Sequence, residues 1–146
     1  MSSEQLSDGS VETARYTHGH SAAVLSAHSR RGAADSAAYL LAHLRAGMDL
    51  LDVGCGPASI TADLAARVAP GRVVALDAAA GALEAARATL RERGLSEQVE
   101  LTSGDVMALP FEDASFDVVH AHQVLQHLAD PVGALAEMRR VTRPGG

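Results

Sequence analysis

The feature that most constrains this chain is a short apolar run that ends in two closely spaced glycines. The run from Asp49 to Val53 is followed by Gly54 and Gly56. The apolar residues that come next stand four apart, as on one face of a helix: Ile60, Leu64 and Val68. The sequence therefore predicts a buried strand, a tight loop and a helix. Because glycines carry no side chain, a ligand can approach the backbone of this loop and the N–H groups of the helix that follows.

Strand and helix patterns continue to alternate along the rest of the chain. Three further strands are predicted, over Val73 to Asp77, Val99 to Leu101 with the adjoining Gly104 and Asp105, and Phe116 to His120. Helical faces are predicted at Leu83, Ala86 and Leu90, closed by Gly94, and later at Val132, Leu135 and Met138. Because strands and helices alternate, we expect an α/β fold with a parallel sheet and helices on both faces.

Two helix ends carry recognisable signals. Asp130 before Pro131 predicts an N-cap followed by proline in the first turn. Ahead of the first strand, the helical spacing of apolar residues from Ala33 to Leu44 predicts one helix, with Arg45 in its last turn and Gly47 as its C-terminal cap.

Composition narrows the function classes. The chain has 146 residues and a net charge of −6, and its 12 basic residues are all arginine. An extended basic surface for nucleic acid is therefore not expected. The absence of lysine removes phosphate-loop and Schiff-base chemistry. No apolar run reaches the roughly 18 residues of a membrane span, so we expect a soluble cytoplasmic protein.

Two carboxylates follow predicted strands. Ligands of open parallel sheets lie beyond the carboxyl ends of the strands. Asp77 stands at such an end, about 20 residues after the glycine loop, where a carboxylate can accept hydrogen bonds from both hydroxyls of a ribose. Asp105 follows Gly104 and could accept a hydrogen bond from the edge of a base. A dinucleotide site would have its third glycine where this chain has Ser59, which disfavours a pyrophosphate ligand.

Four blocks of sequence, taken in order and with their spacing, resemble the class I, Rossmann-like S-adenosylmethionine-dependent methyltransferases. The similarity is greatest to the small-molecule branch that includes the quinone-biosynthesis methyltransferases. The blocks are Leu51 to Gly56, Val74 to Asp77, Gly104 to Phe111, and Ser115 to Val119. The resemblance extends over Asp49 to Gly146, most of the chain.

This resemblance implies a Rossmann-like doubly wound parallel sheet, with about four of the usual seven strands before the chain stops at Pro144-Gly145-Gly146. We therefore expect residues 1–20 to form a mobile arm and residues 21–146 to be the N-terminal, cofactor-binding part of a methyltransferase domain. With the later strands absent, the edge of the fourth strand would be exposed and self-association would be possible.

The resemblance also implies how S-adenosylmethionine is bound. The methionine moiety would lie against the glycine loop, the ribose on Asp77 and the adenine near Asp105 and Val106, with Asp52 near the ammonium group. The cofactor-binding residues expected in this way are Asp52, Gly54, Cys55, Gly56, Asp77, Ala78, Gly104, Asp105, Val106, His120 and His122. The family usually has a third glycine where this chain has Ala58.

No single catalytic residue is predicted, because methyl transfer from a sulfonium displaces an already activated group and depends mainly on positioning. His122 and His127 are candidates for lining the transfer site, and packing of the loop is the alternative. No metal site is predicted, because His120, His122 and His127 lack a recognised ligand spacing. Cys55 is expected to be a small loop residue rather than a nucleophile.

The predicted function is methyl transfer from S-adenosylmethionine, with S-adenosylhomocysteine as the product, to a small-molecule acceptor whose reacting atom is carbon, nitrogen or oxygen. Two alternatives stay open. The chain could be a truncated fragment that binds the cofactor without catalysis. It could also be a nicotinamide-dependent oxidoreductase, which Ser59 and the absence of lysine disfavour.

Overall fold

The computed structural model describes residues 32–146, so the expected arm, residues 1–20, lies outside the described residues. The described chain forms four strands: β1 (Leu50–Val53), β2 (Val73–Asp77), β3 (Val99–Ser103) and β4 (Val118–Ala121). They make one sheet of order β3-β2-β1-β4, and every pairing is parallel. The predicted α/β class and parallel sheet are confirmed.

Helices cover both faces of this sheet. They are α1 (Ala33–Ser36), α2 (Ala38–Leu41), α3 (Ser59–Val68), α4 (Ala80–Glu92) and α5 (Pro131–Val141), with one 3-10 turn at Leu125–His127. Buried residues of α1, α3 and α4 form one apolar cluster with the sheet, and those of α5 form a second. The doubly wound arrangement is therefore present, as predicted.

The two central strands are buried along their whole length. Side chains alternate between the faces of a strand, so Leu50 of β1 belongs to the cluster under α3 and α4, and Leu51 to the cluster under α5. Val73 and Val74 of β2 divide in the same way. Coverage of both faces explains why these strands are apolar in the sequence except at Asp52 and Asp77.

The helix predicted before β1 is broken in the structure. Its backbone leaves the helical conformation at Ala37, with φ −135° and ψ 26°, so two four-residue helices replace one. The apolar side chains of this segment still pack on the core, and the amide of Ala33 is held by the Asp63 carboxylate at 2.8 Å. Gly47 does not cap this segment, because its N–H donates instead to Val68 at the end of α3. Tertiary contacts therefore outweigh the local helical pattern.

The core-facing side of α5 also differs from the prediction. Val132 is 75% exposed and Leu135 is 48% exposed. The residues that pack under the helix are Ala134, Met138 and Val141, four and three positions apart. The start of α5 is as predicted, because the Asp130 carboxylate accepts a hydrogen bond from Gly133 N at 2.9 Å and Pro131 begins the helix.

The fourth strand begins two residues later than predicted and lies at an edge of the sheet. Phe116 is not part of β4 but forms an isolated parallel bridge with Thr142, after α5. The amide of Arg143 donates to the Phe116 carbonyl at 2.8 Å. The chain after α5 thus returns beside the residues that lead into β4.

Gly71, in the turn before β2, is packed against the backbone that leads into β1. A Cβ atom on Gly71 would overlap the carbonyl group of Met48. We expect Gly71→Ala to lower the free energy of unfolding by about 2–3 kcal/mol, because relief of the overlap requires a backbone shift where the two central strands begin. Urea denaturation followed by circular dichroism measures this change.

Gly81→Ala is the matched control for this prediction. Gly81 is exposed within α4, and a Cβ there would meet no atom within 4 Å. The substitution should raise the free energy of unfolding by about 0.4–1 kcal/mol, because alanine loses less backbone entropy on folding than glycine at a position whose conformation both can adopt. Equal stabilities of the Gly71→Ala variant and the unchanged chain would contradict the packing described at this turn.

Candidate functional site

The glycine loop between β1 and α3 is held by the carboxyl end of β2. The amides of Gly54 and Cys55 both donate to the Leu76 carbonyl, at 2.7 and 3.0 Å. The amide of Gly56 donates to the Asp77 carboxylate at 3.0 Å. Gly54 and Gly56 have positive φ angles of 68° and 53°. The left-handed backbone explains why both positions are glycine, and the bonds to β2 fix the course of the loop.

Asp77 is the side chain on which this arrangement converges. It is 8% exposed, and its second carboxylate oxygen accepts a hydrogen bond from Ala79 N at 2.9 Å. Asp77 therefore orients the chain ahead of α4, whereas the N-cap residue of that helix is Ala79. A carboxylate has about four acceptor positions, two on each oxygen. With one bond on each oxygen, Asp77 is fixed in place and can still accept two further hydrogen bonds.

The carboxyl end of β3 lies directly beside Asp77. The amide of Gly104 donates to the Asp77 carbonyl at 3.2 Å. Asp105 is exposed, and its carboxylate accepts a hydrogen bond from Met107 N at 2.9 Å, which orients it. Val106 is only 7% exposed and packs under α5. At this end of β3 the Asp105 side chain thus faces solvent, whereas the Val106 side chain belongs to the core.

A buried polar cluster lies at the end of β1. Asp52 of β1 pairs in register with His120 of β4, where the strand order of the sheet reverses. The Asp52 carboxylate accepts from the Thr61 hydroxyl at 2.6 Å and contacts His120 Nδ1 at 2.9 Å. Asp52 and His120 are 3% and 4% exposed. The three side chains tie together β1, β4 and α3.

His120 also has an unsatisfied nitrogen. Its Nε2 is buried and has no hydrogen-bond partner within residues 32–146. With Nδ1 bonded to Asp52, Nε2 is the one ring nitrogen left to bond to another group. Buried polar atoms normally have a partner, so this nitrogen can form a hydrogen bond with a group that the described part of the fold does not supply.

A small cavity of about 40 Å³ opens beside the glycine loop, lined by Asp52, Gly54, Cys55, Gly56, Pro57, Ser59, Ile60 and His122. Ligand pockets usually measure about 300–1,000 Å³, so this cavity suits only one end of a ligand. The remainder would lie along the open carboxyl edge of the sheet. Two larger grooves, of about 520 and 530 Å³, lie beside the first residues of β3 and contain none of the predicted site residues.

The structure brings most of the predicted residues to one edge of the sheet, in three groups. Those that line the cavity are Asp52, Gly54, Cys55, Gly56 and His122. Those at the ends of β2 and β3 are Asp77, Ala78, Gly104 and Asp105. The side chains of Val106 and His120 are buried behind this edge. Of the two catalytic candidates, His122 lines the cavity, whereas His127 lies half-buried in the 3-10 turn.

Two residues of this site were missed in the sequence. Thr61 is a polar residue on a helix face that is otherwise apolar, and this exception to the pattern was the signal available. Val124 lies over the glycine loop, so a Cβ on Gly54 would collide with its side chain. No local pattern indicates Val124, because the contact joins segments 70 residues apart in number.

Ala58 takes a conformation that glycine adopts more easily. It lies in the left-handed region, with φ 62° and ψ 22°, directly before α3, and its side chain is fully buried. This conformation costs a non-glycine residue about 1–2 kcal/mol. The need for a positive φ thus gives a physical reason for the third glycine of the family pattern, which this chain replaces with alanine.

The described part of the chain offers no membrane helix and no metal cluster. Between residues 32 and 146 no helix is both long and apolar enough to cross a bilayer. Over the same residues, no three side chains of His, Cys, Asp or Glu are grouped so that they could hold a metal ion.

Comparison with known proteins identifies the family of this chain. A family model described as a methyltransferase domain matches residues 51–146. Demethylmenaquinone methyltransferase of Lactococcus lactis is 42% identical over 101 residues, which are 68% of this chain and 40% of the relative. The predicted resemblance to methyltransferases, including those of quinone biosynthesis, is confirmed.

Solved structures support the fold assignment. A SAM-dependent methyltransferase from Aquifex aeolicus superposes with a TM-score of 0.67 at 27% identity, covering 73% of this chain and 58% of that one. The cyclase SpnF superposes with a TM-score of 0.67 at 35% identity, covering 74% of this chain and 40% of that one. The chain covers 49%, 29% and 50% of the length of three further curated relatives, which is half or less of each.

Cys55 gives a direct test of this loop structure. Burial raises the pKa of its thiol far above the usual range, and the negative charges of Asp52 and Asp77 raise it further. The group therefore stays a neutral thiol through pH 9, and thiols react only as thiolates. We expect iodoacetamide at pH 8.5 to label the folded chain at least about 100-fold more slowly than the urea-unfolded chain, as measured by mass spectrometry. Comparable labelling rates would show that the loop is open or that Cys55 is ionised.

Proposed function

The chain belongs to the methyltransferase domain family, and we propose that it binds S-adenosylmethionine along the glycine loop and Asp77 and transfers the methyl group to a small-molecule acceptor. The name of the Lactococcus lactis relative, demethylmenaquinone methyltransferase, makes a quinone ring in its reduced, quinol form the first acceptor class to test. Quinols are electron-rich at carbon and oxygen, which suits attack on the methyl of a sulfonium.

The observation that carries the proposal is the state of the Asp77 carboxylate. Both oxygens are already fixed by backbone amides, of Gly56 and Ala79, and each keeps an acceptor position. Two vicinal ribose hydroxyls are a matching pair of donors. A carboxylate held in advance loses little conformational entropy when it binds them. Asp105, beside it at the end of β3, would accept from the amino group of adenine.

The other end of the cofactor fits the cavity by the glycine loop. A Cβ on Gly56 would meet no atom within 4 Å, so the loop faces open space at this residue. The Asp52 carboxylate lines the small cavity below and supplies negative charge for the ammonium group of the methionine moiety. His120 Nε2 adds a buried ring nitrogen without a hydrogen-bond partner in the described residues to the same cluster. The residues present therefore suit the cofactor at both ends.

The chemistry supplied by the bound cofactor is a methyl group activated on sulfur. The protein residues then act mainly by position: the loop and Asp77 would orient the ribose and the methionine moiety, and the buried cluster around Asp52 would keep that end away from water. Orientation of this kind supplies much of the rate in a displacement reaction. His122 lines the cavity and is the proposed contact to the reacting groups, whereas His127, in the 3-10 turn, does not line it.

A second function has one observation in its favour. The cyclase SpnF shares this fold at 35% identity, and its name does not describe methyl transfer. A fold can support several reactions, and function belongs to the site. Binding of the cofactor and transfer of its methyl group therefore require separate tests.

Substitution of Asp77 tests binding. We expect Asp77→Ala to weaken binding of S-adenosylhomocysteine by about 1–3 kcal/mol, because charge-assisted hydrogen bonds to the ribose are lost. Isothermal titration calorimetry measures the change. Glu100→Ala is the control, since Glu100 is an exposed acid on β3 that pairs with Arg72 away from this edge. Equal affinities of the Asp77→Ala variant and the unchanged chain would refute the ribose contact.

Methyl transfer is tested by incubation of the 146-residue chain with methyl-labelled S-adenosylmethionine and a series of quinols, phenols and amines. We expect labelled product and equimolar S-adenosylhomocysteine with at least one acceptor class, quantified by mass spectrometry. Gly56→Val serves as the control, because a branched side chain at φ 53° would strain the loop and fill the proposed cofactor position. Tight cofactor binding without transfer to any acceptor would instead favour a binding or cyclising function.

A further inference from the structure

Helix α5 presents a second, half-buried side, next to the one that packs on the sheet. Gly133, Glu137 and Arg140 stand four and three positions apart, so they share one face. This face lies against residues 105–113, the loop that leaves β3. We call it the base loop because its first residues, Asp105 and Val106, are those expected near the adenine base. The close approach at Gly133 shows the contact: a Cβ there would lie 2.8 Å from the end of the Met107 side chain.

Arg140 makes the main connection to the base loop. Its guanidinium donates to the carbonyls of Phe111 and Leu109 at 2.8 and 3.0 Å, and to the Asp113 carboxylate at 2.8 Å. The same group donates twice to Glu137, at 2.7 and 3.0 Å. A planar group with five donors can hold two backbone carbonyls and two carboxylates together, which a lysine ammonium cannot reproduce.

Glu137 completes the connection from its other side. One of its carboxylate oxygens accepts from Leu109 N at 2.8 Å, so the amide and the carbonyl of Leu109 are both held by α5. The carbonyl of Arg140 also accepts from Ala114 N at 2.9 Å, just beyond the loop. Hydrogen bonding to Arg140 and to the Leu109 amide lowers the pKa of Glu137, which keeps this carboxylate charged at neutral pH.

The base loop has few bonds of its own. Within it, the amide of Ala108 donates to Asp105 O at 3.0 Å, that of Met107 donates to the Asp105 carboxylate at 2.9 Å, and that of Phe111 donates to Leu109 O at 2.8 Å. Its buried side chains, Val106 and Leu109, pack in the apolar cluster under α5. The α5 bonds hold the base loop at Leu109, Phe111 and Asp113, so the course of the loop after Asp105 depends on a helix that lies 18 or more residues later in the chain.

We propose that Arg140 and Glu137 are positioning residues for the adenine end of the cofactor: they fix the base loop on α5 and thereby hold Asp105 and the backbone of Val106 where a base edge can bind. This inference rests on the proposed function. The bonds of Arg140 and Glu137 thus connect the carboxyl ends of the strands to α5, the helix that follows His122 and the 3-10 turn. The role of Arg140 is indirect, because its own donors are occupied by the loop and by Glu137.

Ligands that differ in the base test the proposal. S-adenosylhomocysteine and 5′-methylthioadenosine contain adenine, whereas S-ribosylhomocysteine has the ribose and amino acid without it. We expect Arg140→Met to weaken binding of both adenine ligands about tenfold, the loss of roughly one charge-assisted contact, and to change binding of S-ribosylhomocysteine less than about twofold. Calorimetric titration of the full chain measures all three affinities.

Arg139→Met is the matched control, since Arg139 is the exposed neighbour on the same helix and its substitution changes the charge equally. Its affinities should all stay within about twofold of the unchanged chain. Arg140→Lys is the second variant. It keeps the positive charge but lacks the planar guanidinium with its five donors, and it should show the same selective loss to a smaller extent. Should Arg140→Met fail to fold, Arg140→Lys decides the question alone.

The outcomes separate this inference from the proposed function. Selective loss of adenine ligands supports the positioning role, because general destabilisation would weaken all three ligands alike. Unchanged affinities, or equal losses for all three ligands, overturn it while leaving the proposed function in place. If the unchanged chain binds neither S-adenosylhomocysteine nor 5′-methylthioadenosine, the proposed function fails and this inference fails with it.

Discussion

The structure of this site depends on the hydrogen bonds between the end of β2 and the glycine loop after β1. Leu76 accepts two loop amides through its carbonyl, and Asp77 accepts a third through its carboxylate. These bonds require a backbone with positive φ at Gly54 and Gly56. They place the loop, the acid and the start of α3 in fixed relation before any ligand binds. Such preorganisation reduces the entropy lost on binding.

The rest of the site extends from this connection in both directions across the sheet. Toward β3, the Asp77 carbonyl holds Gly104 and so places Asp105 beside it. Toward β4, Asp52 and His120 join the strands on either side of the reversal in strand order, which is where ligands of doubly wound sheets bind. Each connection uses a polar group at the carboxyl end of a strand. The functional edge is therefore built from the same bonds that hold the strand ends together.

The sequence predicted those parts of the fold that depend on local patterns. The central strands, the glycine loop and the Asp130 cap follow from apolar runs and turn residues, and the structure has them. The break at Ala37 was not predictable, because contacts with α3 decide it. The same reason applies to the connection between Arg140 and Leu109, which lie 31 residues apart. Asp77 could be assigned from spacing alone, whereas its bonds to Gly56 and Ala79 required the tertiary structure.

A crystal structure of the chain with bound S-adenosylhomocysteine tests the central claim most directly. We expect both ribose hydroxyls within about 3 Å of the Asp77 carboxylate oxygens, the normal distance for hydrogen bonds of this kind. The bonds from Asp77 to Gly56 and Ala79 should remain, with the adenine edge at Asp105 and the amino acid end beside Gly56. A ligand seated elsewhere, such as the grooves beside β3, or a ribose without contact to Asp77, would contradict the account.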